Sequence, residues 1–176
     1  MKKVIIVCLV LISLFTLTKK PNEILIPDSA IRFRVIANSD EKVDQDIKLL
    51  VKNNIEPRVL SDIKSSNSIY ETRNIINDNL PNYEEVVYTT LKKNNINQSF
   101  NIKYGMNYFP EKTYKGIKYQ EGEYESLVVT LGEGKGKNWW CVLFPPLCLL
   151  EAEETEEKEK VEYKFFVQEL IDKYLK

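Results

Sequence analysis

The chain has 176 residues, of which 25 are lysine or arginine and 26 are aspartate or glutamate, so its formal net charge at pH 7 is -1. This near-balance argues against nucleic-acid binding, which needs a basic surface to replace phosphate counterions. The sequence contains no histidine. A serine–histidine–aspartate triad, a cysteine–histidine dyad and a histidine-ligated zinc site are therefore excluded, which leaves carboxylate, lysine, tyrosine or cysteine chemistry for any catalysis.

The first 18 residues have the pattern of an export segment. Two lysines precede an uncharged run, residues 4–17, and two more follow it. A helix of these 14 residues spans about 21 Å, short of the ~30 Å hydrocarbon core, which favours a signal peptide. The small residues of a cleavage site are poorly placed, so an uncleaved anchor that contacts the membrane through residues 4–17 stays open. Residues 19–29, with two prolines, form a linker.

The first half of the body, from residue 30 onward, predicts one strand and then helices. In residues 30–37 apolar positions alternate with arginines, which is typical of a half-buried strand. Pro57 is expected to kink or divide the first helix. Three capping boxes predict helix starts: Asn38 with Glu41, Ser68 with Glu71, and Asn82 with Glu85.

The second half changes to the two-residue period of strands. Alternation over residues 100–108 predicts a long strand, followed by a short one near 115–119 and further strands at 124–131 and 139–144. We therefore expect an α+β fold in a single domain, residues 30–150, with a mostly antiparallel sheet of about four strands and helices packed on it. The first strand can insert parallel to another, because a long helical crossover follows it. Residues 151–176 form an acidic segment and a C-terminal amphipathic helix.

Two cysteines remain beyond the export segment, Cys141 and Cys148. An even pair outside the cytoplasm indicates a disulfide bond, and two reduced buried thiols are the alternative. The loop closes eight residues, for which chain entropy gives about 2.5 kcal/mol. Pro145 and Pro146 supply the bend that such a small ring needs.

Residues 132–138, with the sequence GEGKGKN, form the most distinctive local feature. They lack the spacing of a phosphate-binding loop, and a β-type run follows them instead of a helix. A hairpin turn explains one or two glycines, and three glycines with two lysines indicate a surface recognition loop. Trp139 and Trp140 should point to opposite faces of a strand, one of them toward a partner. The predicted partner-binding residues are Gly132, Glu133, Gly134, Lys135, Gly136, Lys137, Asn138, Trp139 and Trp140.

Four carboxylates are candidates for the acid and base of a cell-wall hydrolase, because glycosidases use two carboxylates across a cleft. They are Glu121, Glu123, Glu125 and Glu133. The first three alternate along one strand face, where a solvated surface is the simpler interpretation.

Three segments resemble the stage II sporulation protein R family: IRFRVIANSD (31–40), DQDIK (44–48) and EGEYESLVVTLGEGKGKNWWCVLFPPLC (121–148). The resemblance implies a signalling protein rather than an enzyme, with no metal or cofactor. Such proteins are made in the forespore and exported across its membrane into the intermembrane space, as secreted or N-terminally anchored proteins. There they activate a membrane-embedded aspartic-type protease, stage II sporulation protein GA, which processes the precursor of the mother-cell factor sigma E.

Two functions outside this resemblance stay open at this point: an exported carboxylate-dependent cell-wall hydrolase and a structural envelope protein. The oligomeric state is open as well.

Overall fold

A computed structural model describes residues 29–114, 117–148 and 168–174. The predicted export segment, nearly all of the linker and the acidic segment lie outside these ranges. The helices and strands, in chain order, are β1 Ile31–Ile36, α1 Lys42–Ile63, α2 Ile69–Lys93, β2 Phe100–Phe109, β3 Lys112–Tyr114, β4 Ile117–Tyr119, β5 Gly122–Leu131 and β6 Asn138–Phe144. Residues 168–174, part of the predicted C-terminal helix, are helical and form α3.

The main sheet has the strand order β2-β5-β1-β6, and β3 pairs with β4 in a separate hairpin. β1 is parallel to β5, as the long helical crossover between them predicts, while β2–β5 and β1–β6 are antiparallel. The α+β class and the number of strands agree with the sequence analysis, and the sheet is mixed with two antiparallel pairs out of three.

One face of the sheet packs against α1 and α2. Ile31, Phe33 and Val35 of β1 are fully buried there, together with Leu127 and Val129 of β5. The period-two pattern of β1 thus assigned the core face correctly. Of the described helices, none combines the length and the apolar character that crossing a membrane requires.

The other face of β1 is covered at Arg32, so the prediction of a half-buried strand was wrong at that position, while Arg34 and Ile36 on the same face are half-buried. Arg32 is fully buried on this face, because β1 is a central strand and an aromatic cluster covers it. The guanidinium carbon lies 3.3 Å from the ring centre of Tyr124, 4.9 Å from that of Phe109 and 5.3 Å from that of Trp140. Delocalised charge over ring faces allows an arginine to occupy such a position.

Two of the three predicted capping boxes are wrong. Ser68 does cap α2, since its hydroxyl accepts from the amide of Glu71. Glu41 rather than Asn38 precedes α1, and no side chain caps that helix. Asn82 lies inside α2, which runs through Pro81 without interruption, and α1 likewise runs through Pro57 without being divided. Packing of both helices on the sheet outweighs the local cost of an internal proline.

Candidate functional site

The loop of residues 132–138 joins β5 to β6, and each of its three glycines has a steric reason. Gly132 and Gly134 have φ of +54° and +65°, a region that side-chain-bearing residues rarely adopt. A Cβ on Gly136 would collide with the backbone carbonyl of Ser39. The expected hairpin turn is wrong, because β5 and β6 pair with the two sides of β1 and not with each other. Positive φ accounts for two glycines, and close contact with another segment accounts for the third.

That other segment, residues 37–41, follows β1 and accepts hydrogen bonds from the loop backbone. Four loop amides donate to it: Gly136 N to Ala37 O (2.9 Å), Lys135 N to Asn38 O (3.0 Å), Glu133 N to Asn38 Oδ1 (2.9 Å) and Lys137 N to Asp40 Oδ1 (2.6 Å). Because β1 and β5 are parallel, their C-terminal ends meet at one edge of the sheet, and this brings the two loops together.

Side chains from the first two turns of α1 form hydrogen bonds with both loops. Asp44 accepts from Asn38 Nδ2 at 2.9 Å and from Ser39 Oγ at 2.5 Å. Both hydrogen bonds hold the pKa of the Asp44 carboxyl below its usual value, and the bond from Ser39 has the larger effect. Gln45 Nε2 and Lys48 Nζ donate to the carbonyl oxygen of Lys137, at 3.4 and 3.3 Å. The loop is thus fixed both at its amides and at the carbonyl group of Lys137.

The role of these supporting residues is not evident from the sequence pattern. Asn38 has the spacing of a helix cap, yet its side chain connects the loop to Asp44. A signal was present in α1: Lys48 stands at helical spacing from Val51 and Ile55 on the buried side, where an apolar residue is expected, and Lys48 is itself buried. A buried lysine needs polar partners, and these include the side chain of Gln45.

The charged side chains of the loop point away from this support. The side chains of Glu133, Lys135 and Lys137 are 69%, 76% and 80% exposed. Lys135 pairs with Glu133 at 2.6 Å, and Lys137 lies 3.9 Å from a carboxylate oxygen of Asp40. Ion pairs as exposed as these contribute little to stability, so the side chains remain available to a partner.

Asn138, Trp139 and Trp140, the remaining predicted partner-binding residues, are half-buried. The amide of Asn138 faces the guanidinium group of Arg34; in the orientation that satisfies both groups, its oxygen accepts from Arg34 Nη2 at 2.7 Å and from Nε at 2.8 Å. The two indoles lie on opposite faces of β6, as predicted: Trp139 meets Phe33 edge to face on the helix side, and Trp140 stacks edge to face with Tyr119 on the other. Each indole packs mainly against other residues of the domain, so the loop rather than either tryptophan presents the exposed surface.

The structure contains the disulfide bond between Cys141 and Cys148, with a Cα–Cα distance of 5.5 Å. Both residues are buried, and Cys141 lies opposite Phe33 in the β1–β6 pair. The bond fastens the segment after β6 back onto the core.

Glu133 forms no catalytic pair with Glu121, Glu123 or Glu125, which lie at or near the opposite end of β5. Arg73 donates to both oxygens of Glu125, at 2.6 and 2.7 Å, and Tyr104 donates to one of them at 2.8 Å. The hydrogen bonds from Arg73, and then that from Tyr104, lower the pKa of Glu125, which keeps it ionised and unsuited to be a general acid. Glu133 lies beyond the other end of β5, about 20 Å away at the rise of a strand, whereas glycosidase carboxylates are about 5–9.5 Å apart.

Comparison with known proteins identifies the family. The model of the stage II sporulation protein R family matches residues 27–154. The chain belongs to the stage II sporulation protein R family. It is 37% identical to stage II sporulation protein R of Bacillus subtilis (strain 168) over 177 aligned positions, which cover 90% of this chain and 79% of that protein. No solved structure matches the chain.

The match to the model of the stage II sporulation protein R family spans the loop and all of its supporting residues. The resemblance drawn from the three motifs is therefore confirmed, and the structure explains why these motifs accompany one another. IRFRVIANSD supplies the segment under the loop, DQDIK supplies the contacts from α1, and the third motif contains the loop itself. The family and its relative are named for a stage of sporulation and not for an enzymatic activity.

Proposed function

We propose that this chain is an exported signalling protein of endospore formation that activates a membrane-embedded aspartic-type protease, stage II sporulation protein GA. The protease in turn processes the precursor of sigma E in the mother cell. One observation carries the proposal: three family motifs meet to hold one loop, and that loop presents charged side chains outward instead of lining a cleft. Such an arrangement suits recognition by contact.

The rigid support of the loop favours binding. Glu133, Lys135 and Lys137 extend from a backbone that four amide hydrogen bonds fix in place. A partner that binds them therefore loses little free energy to ordering the loop. Because Lys135 and Lys137 already have carboxylate neighbours, a partner must offer carboxylates or carbonyl oxygens that replace them.

Activation requires that the signal bind the active arrangement of the protease more tightly than the inactive one. A difference of about 5.5 kcal/mol moves a two-state equilibrium from 1:99 to 99:1. In the proposed mechanism the loop contacts the extracytoplasmic or membrane domain of the protease and favours assembly of its two half-sites. The chain itself breaks no bond.

The test is co-expression of this chain, the protease and the sigma E precursor in a host that does not sporulate, with cleavage of the precursor as the readout. We expect cleavage to require both the chain and the protease. The double variant Lys135→Glu/Lys137→Glu should reduce cleavage at least about tenfold, because reversing two contact charges replaces attraction with repulsion. Its thermal stability should stay close to that of the parent, since both side chains are exposed.

The matched control is Lys64→Glu/Lys93→Glu, which makes the same charge change at exposed positions near the C-terminal ends of α1 and α2. Lysine is mildly favourable there, so the control loses at least as much stability as the loop variant. Full cleavage by the loop variant would rule out the loop as the contact. Cleavage of peptidoglycan by the purified chain, abolished in Glu133→Gln, would support the hydrolase instead.

A further inference from the structure

The outer edge of the main sheet is formed by β2, at the far side from β6. Its ten residues pair with β5 in one continuous register, and in the ranges that the structure describes no other strand pairs with β2. About half of the backbone groups of an antiparallel edge strand point away from the sheet. Proteins usually block such an edge with proline, a bulge or charged residues. β2 has no proline and no register shift, and Lys103 is its one charged residue.

The second half of β2 carries exposed apolar side chains. Met106 and Tyr108 are 63% and 54% exposed, and Tyr70 at the start of α2 is 72% exposed. Arg73 connects Tyr70 to Met106: its guanidinium lies 5.4 Å from the Tyr70 ring and binds Glu125, the register partner of Met106. Three of the six large exposed hydrophobic residues in the described part of the chain thus lie on β2 or at the start of α2. Tyrosine and methionine are enriched where proteins bind each other.

The same patch carries negative charge. Glu123 is the register partner of Tyr108, and Glu121 accepts from the Tyr108 hydroxyl at 3.1 Å. Arg73 neutralises Glu125, whereas among the side chains that the structure describes no basic group forms an ion pair with Glu121 or Glu123. The hydrogen bond to Glu121, and then the charges of Glu121 and Glu123, raise the pKa of Tyr108.

We infer that the edge of β2 from Tyr104 to Phe109 binds an extended, basic segment of a partner polypeptide by strand addition. The backbone of that segment pairs with outward N–H and C=O groups of β2 other than the carbonyl oxygens of Gly105 and Tyr108, which accept from Asn107 Nδ2 at 2.9 Å and from Arg34 Nη1 at 3.2 Å. Its lysine or arginine side chains meet Glu121 and Glu123, and its apolar side chains cover Met106 and Tyr108. A second copy of β2 is a poor occupant, because it offers Lys103 as its one basic residue.

This surface is separate from the loop of residues 132–138. β5 places Glu123 near one of its ends and Gly132 just past the other, nine residues or about 30 Å apart along the strand. The inference therefore goes beyond the proposed function, and either can fail without the other.

The experiment uses the full chain and a synthetic probe, a capped octapeptide of alternating lysine and valine. Hydrogen exchange followed by mass spectrometry should show protection of β2 on addition of the peptide, and fluorescence anisotropy gives the affinity. The variant Glu121→Lys/Glu123→Lys should bind about tenfold more weakly, as expected for reversing two exposed charges. Glu84→Lys/Glu85→Lys, an equal charge change on the exposed side of α2, should bind as the parent does.

Two further probes separate strand pairing from charge attraction alone. The same peptide with all of its backbone amides N-methylated should lose binding, because neither of its edges then offers an N–H donor to β2. Tyr108→Ala should weaken binding, whereas Tyr88→Ala, at a tyrosine that is 50% exposed on α2, should not. Equal binding of the methylated peptide, protection outside β2, or a dimer in sedimentation that protects β2 without peptide would each overturn the inference.

Discussion

The two ends of β5 are fastened by different kinds of interaction. Beyond Leu131 the loop of residues 132–138 is held through its backbone, by residues that lie 95 and 97 positions earlier in the chain. Near Gly122 the sheet is held to α2 through side chains, by the Arg73–Glu125 pair with Tyr104. Further across the sheet, the disulfide adds a covalent link.

The two ends of β5 differ in the substitutions that they tolerate. A side-chain pair that joins two elements can be replaced by another pair, or by apolar residues of similar volume, with little change elsewhere. A loop bound through its amides needs acceptors at fixed places and glycines where its backbone turns or touches Ser39. We therefore expect changes at the Glu125 end to affect stability, and changes at the loop end to affect signalling as well.

The largest effect on stability is expected from the disulfide. Cys141→Ser/Cys148→Ser should lower the free energy of unfolding by about 2.5 kcal/mol, the entropy of closing an eight-residue loop. Urea denaturation with and without a reductant measures it. The loop amides should keep their protection from hydrogen exchange, because their acceptors are untouched. Loss of that protection would show that the two regions are coupled.

The next largest effect is expected from Glu125→Gln, which should lower the free energy of unfolding by about 2 kcal/mol. The substitution leaves Arg73 without its charged partner in a partly buried site. The loss stays below that of a fully buried pair since Arg73 can still reach water. A double-mutant cycle with Arg73→Met isolates the pair. Cleavage of the sigma E precursor should not change at a temperature where the variant is folded, and a selective loss of cleavage would contradict the assignment.

The sequence predicted the parts of this comparison that depend on local pattern. Alternation assigned Ile31, Phe33 and Val35 to the core, and the Ser68 cap was right because it needs only its own helix. The burial of Arg32 was missed because it depends on which strands flank β1. The support from Asn38 was missed for a similar reason: its acceptor oxygen serves an amide 95 residues away, which no local pattern records.

A smaller loss of stability, about 1–2 kcal/mol, is expected from Asn38→Ala, which removes the acceptor of the Glu133 amide and the donor to Asp44. Cleavage of the precursor should fall more than this loss explains, because the loop is released. Asn54→Ala is the control, since the Asn54 side chain donates to Leu50 within its own helix. If Asn38→Ala cleaves like the control, the loop does not need its support.

The smallest effect is the dependence of stability on pH. Glu125 and Asp44 both have a pKa in the folded state below their ordinary values of 4.5 and 3.8. For carboxyls with lowered pKa, the contribution to stability is complete above the unfolded pKa and is lost as pH falls through the folded pKa. The free energy of unfolding should therefore be flat near neutral pH and fall below about pH 4.5. Urea titrations should show a shallower decline for Glu125→Gln, and an unchanged slope would contradict the role of the ion pair.

Site-specific cross-linking tests most directly whether the loop touches the protease. A photo-crosslinking amino acid in place of Glu133, which is exposed on the loop, is compared with one in place of Glu84, which is exposed on α2. Both proteins are expressed with the protease and the sigma E precursor, and irradiated while cleavage proceeds. The account predicts a covalent adduct with the protease from position 133 and none from position 84. Adducts from position 84 alone, or no adduct from position 133 while the precursor is cleaved, would contradict it.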